Sequence, residues 1–174
     1  MSDILLHEVK DKTEIITFNN PEKLNVLSDQ MLELLTKALE KASRNLETKV
    51  VIIKSTGKAF CAGQDLIEAT DPKGPSLTQI VEEHYNPIIT TIRNIEKPIV
   101  AAVNGVAAGA GASIALCCDI VVACESASFI QAFSKIGLIP DSGATFFLPR
   151  IIGMQRATGL MMTAEPISAK DAIK

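Results

Sequence analysis

The chain has 174 residues, of which 47% are hydrophobic and 21% charged, with a formal net charge of −3. This is enough for one domain with a buried core, and the balance excludes a disordered segment. The slight acidity gives no broad basic field for nucleic acid, and no apolar run approaches the roughly 18 residues that a membrane helix needs. The start, MSDILLHEV, shows no secretory pattern and the end, DAIK, no peroxisomal or retention signal, so a cytoplasmic setting is expected. Cys61, Cys117, Cys118 and Cys124 read as buried small hydrophobes in a reducing compartment. His7 and His84 lie too far apart in sequence to suggest zinc, and no metal site is expected.

In chain order, Ile4 to Val9 and Glu14 to Phe18 predict a hairpin across the polar turn Lys10 to Thr13. Ser28 is a good N-cap, followed by Met31, Leu34, Leu35, Ala38, Leu39, Ala42 and Leu46, which predict an amphipathic helix with one buried stripe. Val50 to Ile53 reads as a strand buried on both faces. Thr56 to Leu66 reads as a loop leading into a short helix, and residues 71 to 75, DPKGP, as a surface connection. Ser76 caps a second helix to about Asn94, which Pro87 should kink or interrupt. Ile99 to Val103 and Ile120 to Ala123 predict further buried strands, with a helix at Ala110 to Cys117 and a short strand at Phe129. Gly153 to Thr163 reads as helix, and Ser168 caps one more. Strands alternate with helices, so the class is α/β.

Two loops share a design of apolar strand, small residues and helix start: Ala62-Gly63-Gln64 and Gly109-Ala110-Gly111. Glycine permits close backbone approach, and a helix start leaves N–H groups unpaired. Side by side, such loops could offer two N–H donors to one developing oxyanion, although tight helix–strand packing would explain the same residues. Asp141 stands alone as an acid in the turn Pro-Asp-Ser-Gly. It could move protons, or serve simply as a turn residue or helix cap. His84 reads as a satisfied helix residue, Glu82 and Glu83 as a solvated face, and Phe146, Phe147 and Leu148 as core or pocket lining.

The segments FCAGQDL, KPIVAAVNGVAAGAGASIALCCDIV and FSKIGLIPDSGATFFLPR resemble the crotonase superfamily, also called the enoyl-CoA hydratase/isomerase family. Within it, AFSKIGLIPD preceded by VNGVAAGAGA is most similar to the phenylacetate-pathway subgroup that isomerises 1,2-epoxyphenylacetyl-CoA. The resemblance implies a crotonase-type spiral of ββα units over residues 1–174, without the family's C-terminal helical section. It also implies assembly as a homotrimer or hexamer if full length. It places the oxyanion hole on the backbone N–H groups of Gln64 and Ala110. It assigns coenzyme A and acyl contacts to Ala62, Gln64, Asp65, Leu66, Ile67, Tyr85 and Phe133, Asp65 doubling as a helix N-cap. Coenzyme A would enter as the thioester part of the substrate, with no separate cofactor.

The departures from the family pattern bear on the reaction. Ser113 and Phe133 occupy the positions of the two glutamates with which the hydratases activate water, and neither is a strong base near neutral pH. That leaves Asp141 as the catalytic acid/base, its pKa expected to be raised by apolar neighbours such as Ile139. The resemblance therefore implies an acyl-CoA isomerase, acting on the ring epoxide or as a Δ3,Δ2-enoyl-CoA isomerase. A hydratase-like enzyme and a non-catalytic acyl-CoA-binding protein are the alternatives. A dehalogenase branch pairs an aspartate here with a tryptophan, and this chain has none.

Overall fold

A computed structural model of the chain describes residues 3–173. Strands β1 (Leu5–Lys10) and β2 (Thr13–Phe18) form the expected hairpin, paired antiparallel from Leu5 opposite Phe18 to Lys10 opposite Thr13. The turn shrinks to Asp11 and Lys12, both at positive φ (47° and 63°). That two-residue turn matches the twist of the strands it joins.

Helix α1 (Asp29–Arg44) starts where Ser28 predicts, the Ser28 hydroxyl accepting the Met31 N–H. It stops earlier than the apolar spacing suggests. Leu46 lies beyond its end and is 82% exposed, whereas Met31, Leu35 and Leu39 are buried completely.

Three turns of a spiral follow. Each places one strand in a first sheet, the next in a second sheet, and then runs through helix. The first turn is β3 (Val50–Ser55), β4 (Ala59–Cys61) and a helical run. The second is β5 (Ile99–Val103), β6 (Val106–Ala108) and α5 (Ala110–Cys117). The third is β7 (Ile120–Ala123), β8 (Ser128–Ile130) and α6 (Ala144–Ile152). The first sheet has the order β1-β2-β3-β5-β7, and the second runs β4-β6-β8 and then β9 (Ile167–Ser168). Within the spiral all neighbours are parallel. Strands β4 and β6 are too short to stand out from loop by pattern, and the sequence reading missed them as strands.

The helical run after β4 comprises α2 (Leu66–Ala69), α3 (Leu77–Ile80), a five-residue π turn (Val81–Tyr85) and α4 (Asn86–Asn94). Ser76 and Gln79 close a capping box at its second start. Pro87 falls in the first turn of α4, where its missing N–H would have served the widened π turn. Helices α7 (Met154–Thr163) and α8 (Ala169–Ala172) finish the chain.

The core lies between the first sheet and helices α1, α4 and α5, around Ile16, Phe18, Leu35, Ile53, Ile88 and Ile114. Four expectations fail, the first two at its margin. β7 forms the sheet edge, and Ile120 and Val122 are 52% and 57% exposed because no element among the described residues covers their face. Phe146 is likewise exposed, while Phe147 is half-buried and Leu148 buried. β3 and β5 alternate fully buried with half-buried positions rather than being sealed on both faces. Cys61, Cys117 and Cys118 are buried, but Cys124 is exposed.

Candidate active site

Because β4 and β6 are parallel neighbours, the loops leaving their C-terminal ends lie side by side. The contact is too close for side chains. A Cβ at Gly63 would sit 2.9 Å from the Ala108 carbonyl oxygen and 3.6 Å from the Ala110 nitrogen. A Cβ at Gly111 would sit 2.5 Å from the Cys61 carbonyl oxygen. Gly63 also adopts φ +91°, a region that side chains disfavour.

The Ala62–Asp65 loop is held from one side. The Leu27 N–H donates to the Gly63 carbonyl (2.8 Å), and the Leu27 carbonyl accepts the Asp65 N–H (3.1 Å). These bonds use the groups flanking Gln64, so the N–H of Gln64 itself points away from Leu27. Ala110 is the first residue of α5, where the N–H precedes the first intrahelical bond, from Ser113 N–H to Gly109 carbonyl (3.0 Å). Among the described residues neither the Gln64 nor the Ala110 N–H meets a protein acceptor. Two adjacent unpaired amides can receive one oxyanion.

Asp141 lies ahead of α6, followed by Ser142 and Gly143, both at positive φ (50° and 76°). Its carbonyl accepts the Ala144 N–H (2.9 Å), and its carboxylate accepts the Ser142 hydroxyl (2.7 Å). The side chain is half-buried. Burial pushes its carboxyl above the usual aspartate range, and the Ser142 hydrogen bond opposes this. Ile139 is not the cause, since it is 84% exposed.

Tyr85 links this acid to the paired loops. It is 2% exposed, and its hydroxyl donates to the Gln64 side-chain oxygen at 2.6 Å. Its own ionisation is pushed well above the usual tyrosine range by burial, then by the nearby Cys61 and Asp141. Asp141 is therefore within electrostatic reach of the hydroxyl that touches Gln64. Phe133 is buried with its ring edge 4.0 Å from the Cβ position of Gly109. The structure thus gathers Gln64, Ala110, Tyr85 and Phe133, with Asp141 near enough to Tyr85 to disfavour its ionisation.

The remaining residues expected to bind coenzyme A form the loop margin. Asp65 is buried, caps α2 by accepting the Ile67 N–H (3.0 Å), and pairs with Lys23 at 3.6 Å. Ala62 is half-buried, with its N–H on the Leu24 carbonyl (3.1 Å). Leu66 and Ile67 are exposed, as residues on the rim of a binding groove would be. Ser113 is buried, and its hydroxyl donates to the Gly109 carbonyl (3.0 Å), which steadies the second loop. The Cys61 thiol is pushed up to about 12 by burial and cannot act as a thiolate nucleophile near neutral pH.

A cavity of about 280 Å³ beside Gln64 has Leu32 and Ile80 in its wall with Asp29, Glu68 and His84. The polar groups there are paired. His84 meets Asp29 at 2.8 Å, and Glu68 accepts the Asp29 N–H at 2.7 Å. A larger apolar groove, about 600 Å³, lies apart from these loops, between β7, β8, α6 and the chain's last elements. Among the described residues no cluster of three or more His, Cys, Asp or Glu is arranged for a metal ion, and no helix is long and apolar enough to cross a membrane.

The pattern of the enoyl-CoA hydratase/isomerase family matches residues 8–174. The chain belongs to that family. It is 43% identical over 175 residues to the 1,2-epoxyphenylacetyl-CoA isomerase of Escherichia coli (strain K12), covering 99% of this chain and 67% of that protein. It is 35% identical over 173 residues to the trans-2-decenoyl-[acyl-carrier-protein] isomerase of Streptococcus mutans, covering 98% and 66%. The crystal structure of an enoyl-CoA hydratase from Mycobacterium avium subsp. paratuberculosis superposes with a TM-score of 0.90 at 35% identity, over 98% of this chain and 67% of that one. The chain therefore spans about two thirds of the length of the relatives it matches. The fold is the crotonase spiral and the chain is an enzyme of the enoyl-CoA hydratase/isomerase type. Sequence reasoning located its loops through their glycines. It missed the Tyr85–Gln64 bond, whose one sequence signal is a lone tyrosine inside an otherwise aliphatic stripe.

Proposed function

We propose that the chain is an acyl-CoA isomerase with Asp141 as its single acid/base. The thioester oxygen is received by the N–H groups of Gln64 and Ala110. Asp141 takes a proton from the carbon next to the thioester, and the C–H electron pair moves into the enolate. The two amides hold the enolate oxygen. Asp141 then returns the proton two carbons away, giving the conjugated 2-enoyl thioester. Charge development on one oxygen and one shuttled proton need no further reactant.

The observation that carries this reading is two adjacent unpaired amides beside Tyr85, whose ionisation Asp141 disfavours, with Ser113 and Phe133 at the two other positions where a carboxylate could have stood. The identity to a 1,2-epoxyphenylacetyl-CoA isomerase supports the ring epoxide as the favoured substrate. A linear 3-enoyl-CoA is the second, since the same groups serve both. Exposed Ile120 and Val122 on the edge strand support the further proposal that the chain assembles with copies of itself. The reduced cysteines suit a cytoplasmic enzyme.

Conversion of a 3-enoyl-CoA to its conjugated isomer, followed by absorbance, tests the reading with wild type beside Asp141→Asn. The expected result is turnover that falls by about 10²–10⁴ in the variant with acyl-CoA binding kept. Equal rates in both proteins would remove Asp141 from the mechanism. Binding without turnover by wild type would favour a non-catalytic acyl-CoA-binding role.

A further inference from the structure

The resemblance assigns Tyr85 to the substrate contacts. The structure gives its hydroxyl another occupation. The ring is 2% exposed, and the O–H is engaged by the Gln64 side-chain oxygen at 2.6 Å. With ionisation suppressed by burial, the hydroxyl stays a donor across the working pH range. It reaches Gln64 from the last residue of the π turn, a feature that widens a helix locally and recurs at functional sites.

Gln64 is thereby gripped at two points. Leu27 holds the peptide groups before and after it, and Tyr85 holds its side chain. A residue pinned by backbone on one side and side chain on the other has little freedom to rotate its own N–H. We propose that Tyr85 is a positioning residue whose hydrogen bond to the Gln64 side chain aims the Gln64 backbone N–H at the thioester oxygen. This rests on the reading of that N–H as an oxyanion donor. Misplacing such a donor by about 1 Å costs on the order of a hundredfold in rate without breaking any contact to the rest of the substrate. The same bond directs the tyrosine O–H at Gln64, while the Asp141 carboxylate accepts from Ser142 instead.

The test uses cinnamoyl-CoA, a conjugated thioester whose absorbance moves to longer wavelength when its carbonyl is polarised. The 174-residue chain is compared with Tyr85→Phe, Gln64→Met and the double variant, with probe affinity and melting temperature measured for each. The expected result, with the probe saturating, is a red shift in wild type that each single variant reduces by more than half. The double variant should lose no more than the larger single loss, because both changes break one bond. A full shift in Tyr85→Phe, or losses that add in the double variant, would overturn the role of Tyr85 while leaving the oxyanion site standing. No shift in wild type with the probe bound would overturn the oxyanion reading and this inference with it. Should Tyr85→Phe fail to fold, Gln64→Met alters a half-exposed side chain and carries the test.

Discussion

A methyl group at Gly63 would lie 2.9 Å from the carbonyl oxygen of Ala108, so the two loops of the site touch through backbone alone. Gly63→Ala must push those loops apart and also strain φ at +91°. Turnover is expected to fall by about 10²–10³, the effect of losing one oxyanion donor. Steady-state rates and thermal melting of Gly63→Ala check this. A variant that melts at a lower temperature yet keeps its full rate would show that loop spacing does not set the chemistry.

Asp141 links activity and stability with opposite signs. Burial raises its carboxyl above the ordinary 3.8, so the base form is depleted over a wider acid range. Isomerisation should rise with pH through that raised value, and an acid limb at the ordinary value would contradict it. For stability, the folded state holds the proton more tightly than the unfolded chain. That contribution is complete below 3.8 and is lost as pH rises through the folded value. At pH 7 the buried charge is therefore a cost. Asp141→Asn is expected to melt at or above the wild-type temperature while losing activity, which calorimetry can read.

Glu14, a fully buried carboxylate in β2, has the reverse sign. Glu14 accepts from His7 (2.5 Å), Asn45 (2.6 Å) and Thr48 (3.3 Å), at the join of β1, β2 and α1. Burial pushes its carboxyl up, but these hydrogen bonds and the His7 charge together outweigh burial and hold it below the ordinary 4.5. Its stabilisation is present above 4.5 and is lost as pH falls through the folded value. Glu14→Gln should cost about 1–3 kcal/mol at pH 7, with the difference closing in acid. Urea denaturation at several pH values measures it, and a pH-independent difference would contradict the assignment.

What the sequence revealed depended on how local the determinant was. The Ser28 cap, the β1–β2 hairpin and the glycine loops announce themselves within a few residues. The exposure of β7 did not, because Ile120 to Ala123 has the composition of a buried strand and nothing in that segment shows what lies over it. Ile139 looked like a wall for Asp141 but faces outward, since adjacency in a loop does not fix direction. The Tyr85–Gln64 bond spans 21 positions and depends on a π turn, which apolar spacing does not signal. The loops that carry the candidate residues were legible as motifs, whereas the contacts that hold those loops in place were not.

The central claim is that one carboxylate moves one proton along a bound acyl thioester. Its most direct test is mass spectrometry of the product formed from a 3-enoyl-CoA deuterated at the carbon next to the thioester. The account predicts a conjugated 2-enoyl-CoA with no added water that carries part of the deuterium two carbons farther along the chain, formed about 10²–10⁴-fold more slowly by Asp141→Asn. A product heavier by one water, or the same labelled product formed at equal rate by Asp141→Asn, would contradict it.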